Sequence, residues 1–136
     1  MNCKLCSAYQ FKKHDLNSKG FHKKYCPGCI PRGKFCVHMA DSCELLGKGK
    51  LRFCFECTVY PCKRLKNLDK RYRTKYHMSM INNLNYIQEN GIEVFLEKEA
   101  AEWKCSKCGE AICCHNGLCL NCEFDVLIKN RRYRWG

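Results

Sequence analysis

Five C-x-x-C pairs punctuate this chain: Cys3-Lys4-Leu5-Cys6, Cys26-Pro27-Gly28-Cys29, Cys54-Phe55-Glu56-Cys57, Cys105-Ser106-Lys107-Cys108 and Cys119-Leu120-Asn121-Cys122. Two residues between cysteines let both sulfurs approach one ion while the intervening amides turn toward them, and two such pairs complete a tetrahedral thiolate shell. A single pair is compatible with a redox motif, but five are not plausibly five redox motifs. Disulfides are the competing chemistry. The 15 cysteines are an odd number, and Met1-Asn2-Cys3-Lys4 does not begin a secretory leader. No apolar run approaches the ~18 residues of a membrane span. These features favour metal and lead to the expectation of a cytoplasmic chain with no membrane association.

The cysteines also compensate for a thin core. Leu, Ile, Val and Phe number 29 of 136 residues, close to the level below which hydrophobic burial alone does not fold a chain. A small metal-stabilised α+β fold is therefore expected. Its parts are a cysteine-rich metal-binding module at 1–62, amphipathic helices at 63–102, a zinc-ribbon-like module at 103–128 and a basic tail at 129–136.

The grouping of ligands is clearest near the C-terminus. Cys105 and Cys108 are followed by Gly109, where a knuckle turn often needs positive φ, and Cys119 and Cys122 return after ten residues. This spacing predicts a zinc-ribbon-like hairpin closed by a strand over Glu123–Ile128. Cys113, Cys114 and His115, inside the loop, read as packed or free side chains, with His115 the substitute should the second pair not ligate. In the N-terminal half, Cys3, Cys6, Cys26 and Cys29 have the spacing of a four-cysteine site. Cys36, Cys43, Cys54, Cys57 and Cys62 follow, one more than a second site requires, with Cys36 or Cys62 as the spare. About three zinc ions are expected in all. Iron–sulfur clusters on the N-terminal cysteines, with zinc in the ribbon, are the alternative, although the compact cysteine run of bacterial ferredoxins is absent.

Between the cysteine groups, helical periodicity appears. Leu51–Phe55 reads as a short strand. Pro61 then starts a basic helix with Leu65, Leu68, Tyr72 and Tyr76 on one face. Ser79 caps a second helix that Gly91 ends. Ile92, Phe95, Leu96 and Trp103 mark a third, acidic one.

The formal charge is +12, and it is segregated. Residues 1–75 hold 18 Lys/Arg against 5 Asp/Glu, residues 76–128 hold 3 against 8, and the last eight residues add four cations. Arg71, Arg73 and Lys75, with Arg131, Arg132 and Arg134 in the tail, are the candidate contacts for nucleic acid or an acidic protein partner. Phe53, Phe55, Tyr60, Tyr72 and Tyr76 are interleaved aromatics for base stacking. A solvated helix face and lysines that offset thiolate charge explain the same residues. Each four-thiolate zinc site carries about −2, so three would lower the working charge to roughly +6.

The stretch Leu51–Trp103 resembles the prokaryotic cysteine-rich family catalogued as domain of unknown function 3795. The resemblance is carried by Cys54, Cys57 and Pro61-Cys62, by R-Y-R-x-K-Y-x-M-S at Arg71–Ser79, by N-G-I-x-x-F-L at Asn90–Leu96, and by W-x-C-x-x-C-G at Trp103–Gly109. It implies a metal-binding fold and supplies no activity. The gap of six residues between Cys36 and Cys43 is wider than that family's spacing.

Three functions compete: a zinc-stabilised binding module, an iron–sulfur redox or sulfur-handling protein, and cysteine catalysis by Cys62 or Cys114. No Ser/His/Asp constellation, phosphate-cradling loop or H-E-x-x-H accompanies the cysteines, so the reading leans away from an enzyme.

Overall fold

A computed structural model describes residues 2–28 and 43–130. Cys29, Cys36, Arg131, Arg132 and Arg134 lie outside the described residues. Six α-helices are formed among those described: α1 (Ser7–Lys13), α2 (Glu44–Gly47), α3 (Lys63–Tyr76), α4 (Met80–Asn90), α5 (Ile92–Glu102) and α6 (Phe124–Asn130). Single 3-10 turns occupy Cys3–Leu5 and Cys54–Glu56.

The α3–α5 segment follows its local signals. Cys62 caps α3, its Sγ accepting the Leu65 N–H at 3.5 Å. Ser79 caps α4 by accepting the Asn82 N–H at 3.1 Å. Gly91, at φ 88°, ends α4 and starts α5, a backbone conformation that glycine adopts without a Cβ clash. Helix α4 packs against α3, α5 and the Cys54–Glu56 turn.

One contact locks the α3–α4 corner. Asp69 is 4% exposed, and its carboxylate accepts the Ser79 hydroxyl at 2.7 Å, the Ile81 N–H at 3.0 Å and Arg73 Nε at 2.7 Å. Burial pushes its pKa up, but these three donors together hold the carboxyl below its usual range.

Two apolar clusters make up the interior. Phe11, Leu16, Cys113, Leu118, Leu120 and Leu127 form one, joining α1 to the C-terminal segment and α6. Leu5, Leu65, Met78, Met80 and Cys114 form the other, with Cys54, Cys62, Tyr72 and Trp103 against it. The neighbours Cys113 and Cys114 thus enter different clusters, at the start of the turn that the Gly117 N–H closes on Cys113 O. The N-terminal segment meets the 111–114 loop here. The Cys114 N–H donates to Leu5 O at 2.9 Å, and Gln10 Nε2 donates to Lys4 O at 2.8 Å and Ala111 O at 3.3 Å.

The α+β expectation is overturned: the described residues are helices and turns, with no strand. Instead of a ribbon hairpin there is one isolated antiparallel bridge, Lys104 to Ala111. The Cys105 N–H donates to Glu110 O and the Ile112 N–H to Trp103 O. The ladder stops there because residues 113–117 curl into another turn, with the Gly117 N–H on Cys113 O at 2.7 Å. The closing strand over Glu123–Ile128 is instead the start of α6. Phe124 and the adjacent Val126 and Leu127 all lie against one cluster, a use of neighbouring positions that alternation along a strand does not allow. Leu51–Phe55 is likewise no strand. It leads directly into the Cys54–Glu56 turn, and the Arg52 and Phe53 N–H groups donate to Glu56 Oε2 rather than to a neighbouring strand.

Candidate metal centre

Cys105, Cys108, Cys119 and Cys122 converge. Their four sulfurs lie within 4.8 Å of one another, the only such group of three or more ligand atoms among the described residues. Cys108 Sγ and Cys119 Sγ are 3.5 Å apart. Four sulfurs at about 2.3 Å from one tetrahedral ion stand about 3.8 Å apart, so this donor set fits a single metal ion.

Local turns make the site. The Gly109 N–H donates to Cys105 O at 2.9 Å, with Gly109 at φ 78°. The Cys122 and Glu123 N–H groups donate to Cys119 O at 3.2 and 2.7 Å. Glu123 returns the contact through its side chain, accepting the Cys119 N–H at 3.0 Å. Cys105 and Cys119 are buried, whereas Cys108 and Cys122 face solvent. The site therefore has an inner anchored edge and an open outer edge through which an ion can enter.

The thiols are electrostatically unequal. Hydrogen bonds from the Glu110 N–H, then from Asn121 and from the Cys122 and Cys119 thiols, bring Cys108 down to about 6. Cys122 is pushed up to about 12, chiefly because it donates to Cys108. Burial pushes Cys119 up, against the Cys122 and Asn121 N–H groups. Cys108 is thus the most acidic of these thiols, and the others would have to lose their protons to ligate an ion.

The other described candidate ligands lie outside this group. The Cys6 N–H donates to Cys3 O at 2.9 Å, and the Cys26 N–H to Ala8 O at 3.1 Å, so this pair and Cys26 flank α1. Cys54 and Cys62 border the Leu65 cluster, and Cys43 caps α2. His115 is committed elsewhere. Its Nδ1 accepts the Ser7 N–H at 3.2 Å, its Nε2 is 3.1 Å from the Tyr72 hydroxyl, and its ring lies 4.9 Å from that of Tyr76.

The nucleophile reading of Cys114 does not survive. Its side chain is fully buried and burial pushes the thiol far up, so it is neither accessible nor ionised. The aromatic set for base stacking is also largely occupied: Tyr72 packs on Tyr76 and His115, Phe53 stacks on Phe55 at 5.1 Å, and the Tyr60 hydroxyl donates to Asn85. Arg71 and Lys75 are exposed on α3, while Arg73 pairs with Asp69.

Sequence reading passed over the buried acids. Asp69 and Glu99, 4% and 3% exposed, were both visible as polar residues on apolar stripes. Asp69 falls between Leu65 and Tyr72, and Glu99 between Phe95 and Trp103, at helical spacing. Leu96, one of the apolar residues that mark this helix, is 41% exposed. Among the described residues, no helix is long and apolar enough to cross a membrane. Comparison of the chain with family models, with curated proteins and with solved structures found no match in any of the three.

Proposed function

We propose that this is a zinc-stabilised protein whose C-terminal four-thiolate centre is structural. The convergence of Cys105, Cys108, Cys119 and Cys122 within 4.8 Å carries the reading. A closed set of four thiolates leaves no open position for substrate, which is the arrangement of structural rather than catalytic zinc. The spacing also favours one ion over a cluster here, because a four-iron cluster places its own irons and sulfides between the cysteines and holds their sulfurs further apart. Metal analysis of anaerobically purified protein tests this. Zinc in a colourless protein is expected. A brown protein containing iron and acid-labile sulfide, with no zinc, overturns it.

A binding role for the basic half is a second reading, favoured by α3. Lys63, Arg64, Lys66, Lys70, Arg71 and Lys75 are all exposed along this one helix, a cationic surface suited to phosphates or an acidic protein. Affinity for single-stranded nucleic acid should then fall steeply with salt, and absence of a gel shift at low salt removes the nucleic-acid form of this reading. The motif resemblance to domain of unknown function 3795 supports metal binding and is silent on the partner.

A further inference from the structure

We infer that Cys43, Cys54, Cys57 and Cys62 form a second four-thiolate metal centre, at the junction of α2, the Cys54–Glu56 turn and the start of α3. This deepens the metal-binding function proposed above by naming which N-terminal thiols act together, and it makes Cys62 a ligand rather than the spare.

Three observations bring the four together. First, the chain folds back between Cys54 and Cys62 through consecutive turns. The Cys57 N–H donates to Cys54 O at 3.1 Å and the Tyr60 N–H to Cys57 O at 3.1 Å. Cys54 and Cys62 consequently pack against the same buried cluster of Leu5, Leu65, Met78, Met80 and Cys114.

Second, α2 returns Cys43 to this place. The Lys50 N–H donates to Leu45 O at 2.9 Å, closing the helix, and the segment then runs through Leu51–Phe53 directly into Cys54. The Leu51 N–H also donates to Leu45 O at 3.4 Å, so the approach to Cys54 runs past the first turn of α2, beside its cap Cys43.

Third, the local geometry repeats that of the convergent C-terminal quartet. Cys57 donates to Cys54 O across its C-x-x-C turn as Cys122 does to Cys119 O. Cys62 Sγ accepts a backbone N–H at the first turn of α3, the hydrogen bond that stabilises a ligating thiolate. All four thiols are half-buried and none is in a disulfide. Their sulfurs are less tightly gathered than the C-terminal four, so an ion would draw the α2 end onto the turn.

Thiol mapping on the intact, metal-loaded protein tests this without any substitution. Under N-ethylmaleimide, with mass spectrometry of the labelled sites, Cys43, Cys54, Cys57 and Cys62 should be protected together. They should become reactive together, by about 10-fold or more in rate, when a chelator removes the metal. Unchanged labelling of Cys54 and Cys62 on chelation overturns the site, and Cys43 labelling freely while the others are protected overturns its membership. The C54S/C62S double variant should lose one metal equivalent, and C105S/C119S a different one. Retention of the full metal complement by C54S/C62S counts against the second centre alone. Retention by C105S/C119S counts against the C-terminal centre alone.

Discussion

The two halves of this protein use the same C-x-x-C unit with different results. Around Cys105–Cys122, four sulfurs are already gathered within 4.8 Å. Around Cys3–Cys62, the Cys3–Cys6 and Cys54–Cys57 pairs form the same kind of turn, yet no three described ligand atoms there lie within 4.8 Å of one another. The difference lies in the connection. Ten residues separate the C-terminal pairs, and those residues are consumed by short-range bonds such as Ile112 N–H to Trp103 O at 2.7 Å and Cys113 N–H to Leu118 O at 2.9 Å. A short loop closes at low entropic cost. Ten residues also separate Cys43 from Cys54, but they are taken up by α2 and its closing turn rather than by bonds that draw the sulfurs together, so an ion has more closure to enforce.

The largest test of this contrast is removal of the C-terminal metal. C119S should abolish binding at that centre and destabilise the loaded protein by on the order of 4 kcal/mol or more, read from urea unfolding with and without zinc. A loss no larger than that of C57S would erase the distinction between the halves.

Acidification sharpens it next. Cys108 lies at about 6 and Cys122 at about 12 in the metal-free site. A depressed thiol stays charged above its folded-state value and gains a proton as pH falls through it. Metal affinity should decline from neutral pH and steepen below about 6, where the fourth thiolate is also lost. Zinc release followed with a chromogenic chelator against pH checks this. A slope that does not change through about pH 6 contradicts the low position assigned to Cys108.

Asp69 offers a metal-independent counterpart. Asp69→Ala strips three donors of their buried acceptor and should cost about 2–4 kcal/mol, with the same penalty in zinc-free protein if the α3–α4 corner folds by itself. Since the folded-state pKa of Asp69 is depressed, its contribution is complete above the ordinary carboxylate range and is lost as pH falls through the lower folded value. Wild-type and variant melts should therefore converge in strong acid. The smallest effect is expected at the cap. Ser79→Ala removes the Asn82 N–H acceptor and one Asp69 donor and should cost about 1 kcal/mol in thermal unfolding.

Legibility followed the range of the forces. The Ser79 cap, the Gly91 stop and the Cys105–Cys122 quartet were readable because each depends on residues a few positions apart. The strand expected at Glu123–Ile128 failed because apolar residues at 124, 126, 127 and 128 suit either period, and contact with Phe21 and Leu120 selected the helix. Glu99 was read as part of an acidic face, although its position between Phe95 and Trp103 marked it as interior. Burial holds its carboxyl above the usual range.

By itself, the sequence determined that thiols at metal-ligand spacing dominate this protein: 15 cysteines, five of their pairs separated by two residues, beside an apolar content too low for a large core. It also determined where the basic charge lies. Only the tertiary structure decided which thiols meet, and which instead become core. Cys113 and Cys114 are fully buried because their loop docks on Leu5 and Ser7, more than a hundred residues earlier in the chain. Spacing reports what neighbours along the chain can do, whereas burial depends on surfaces that distant segments create for one another.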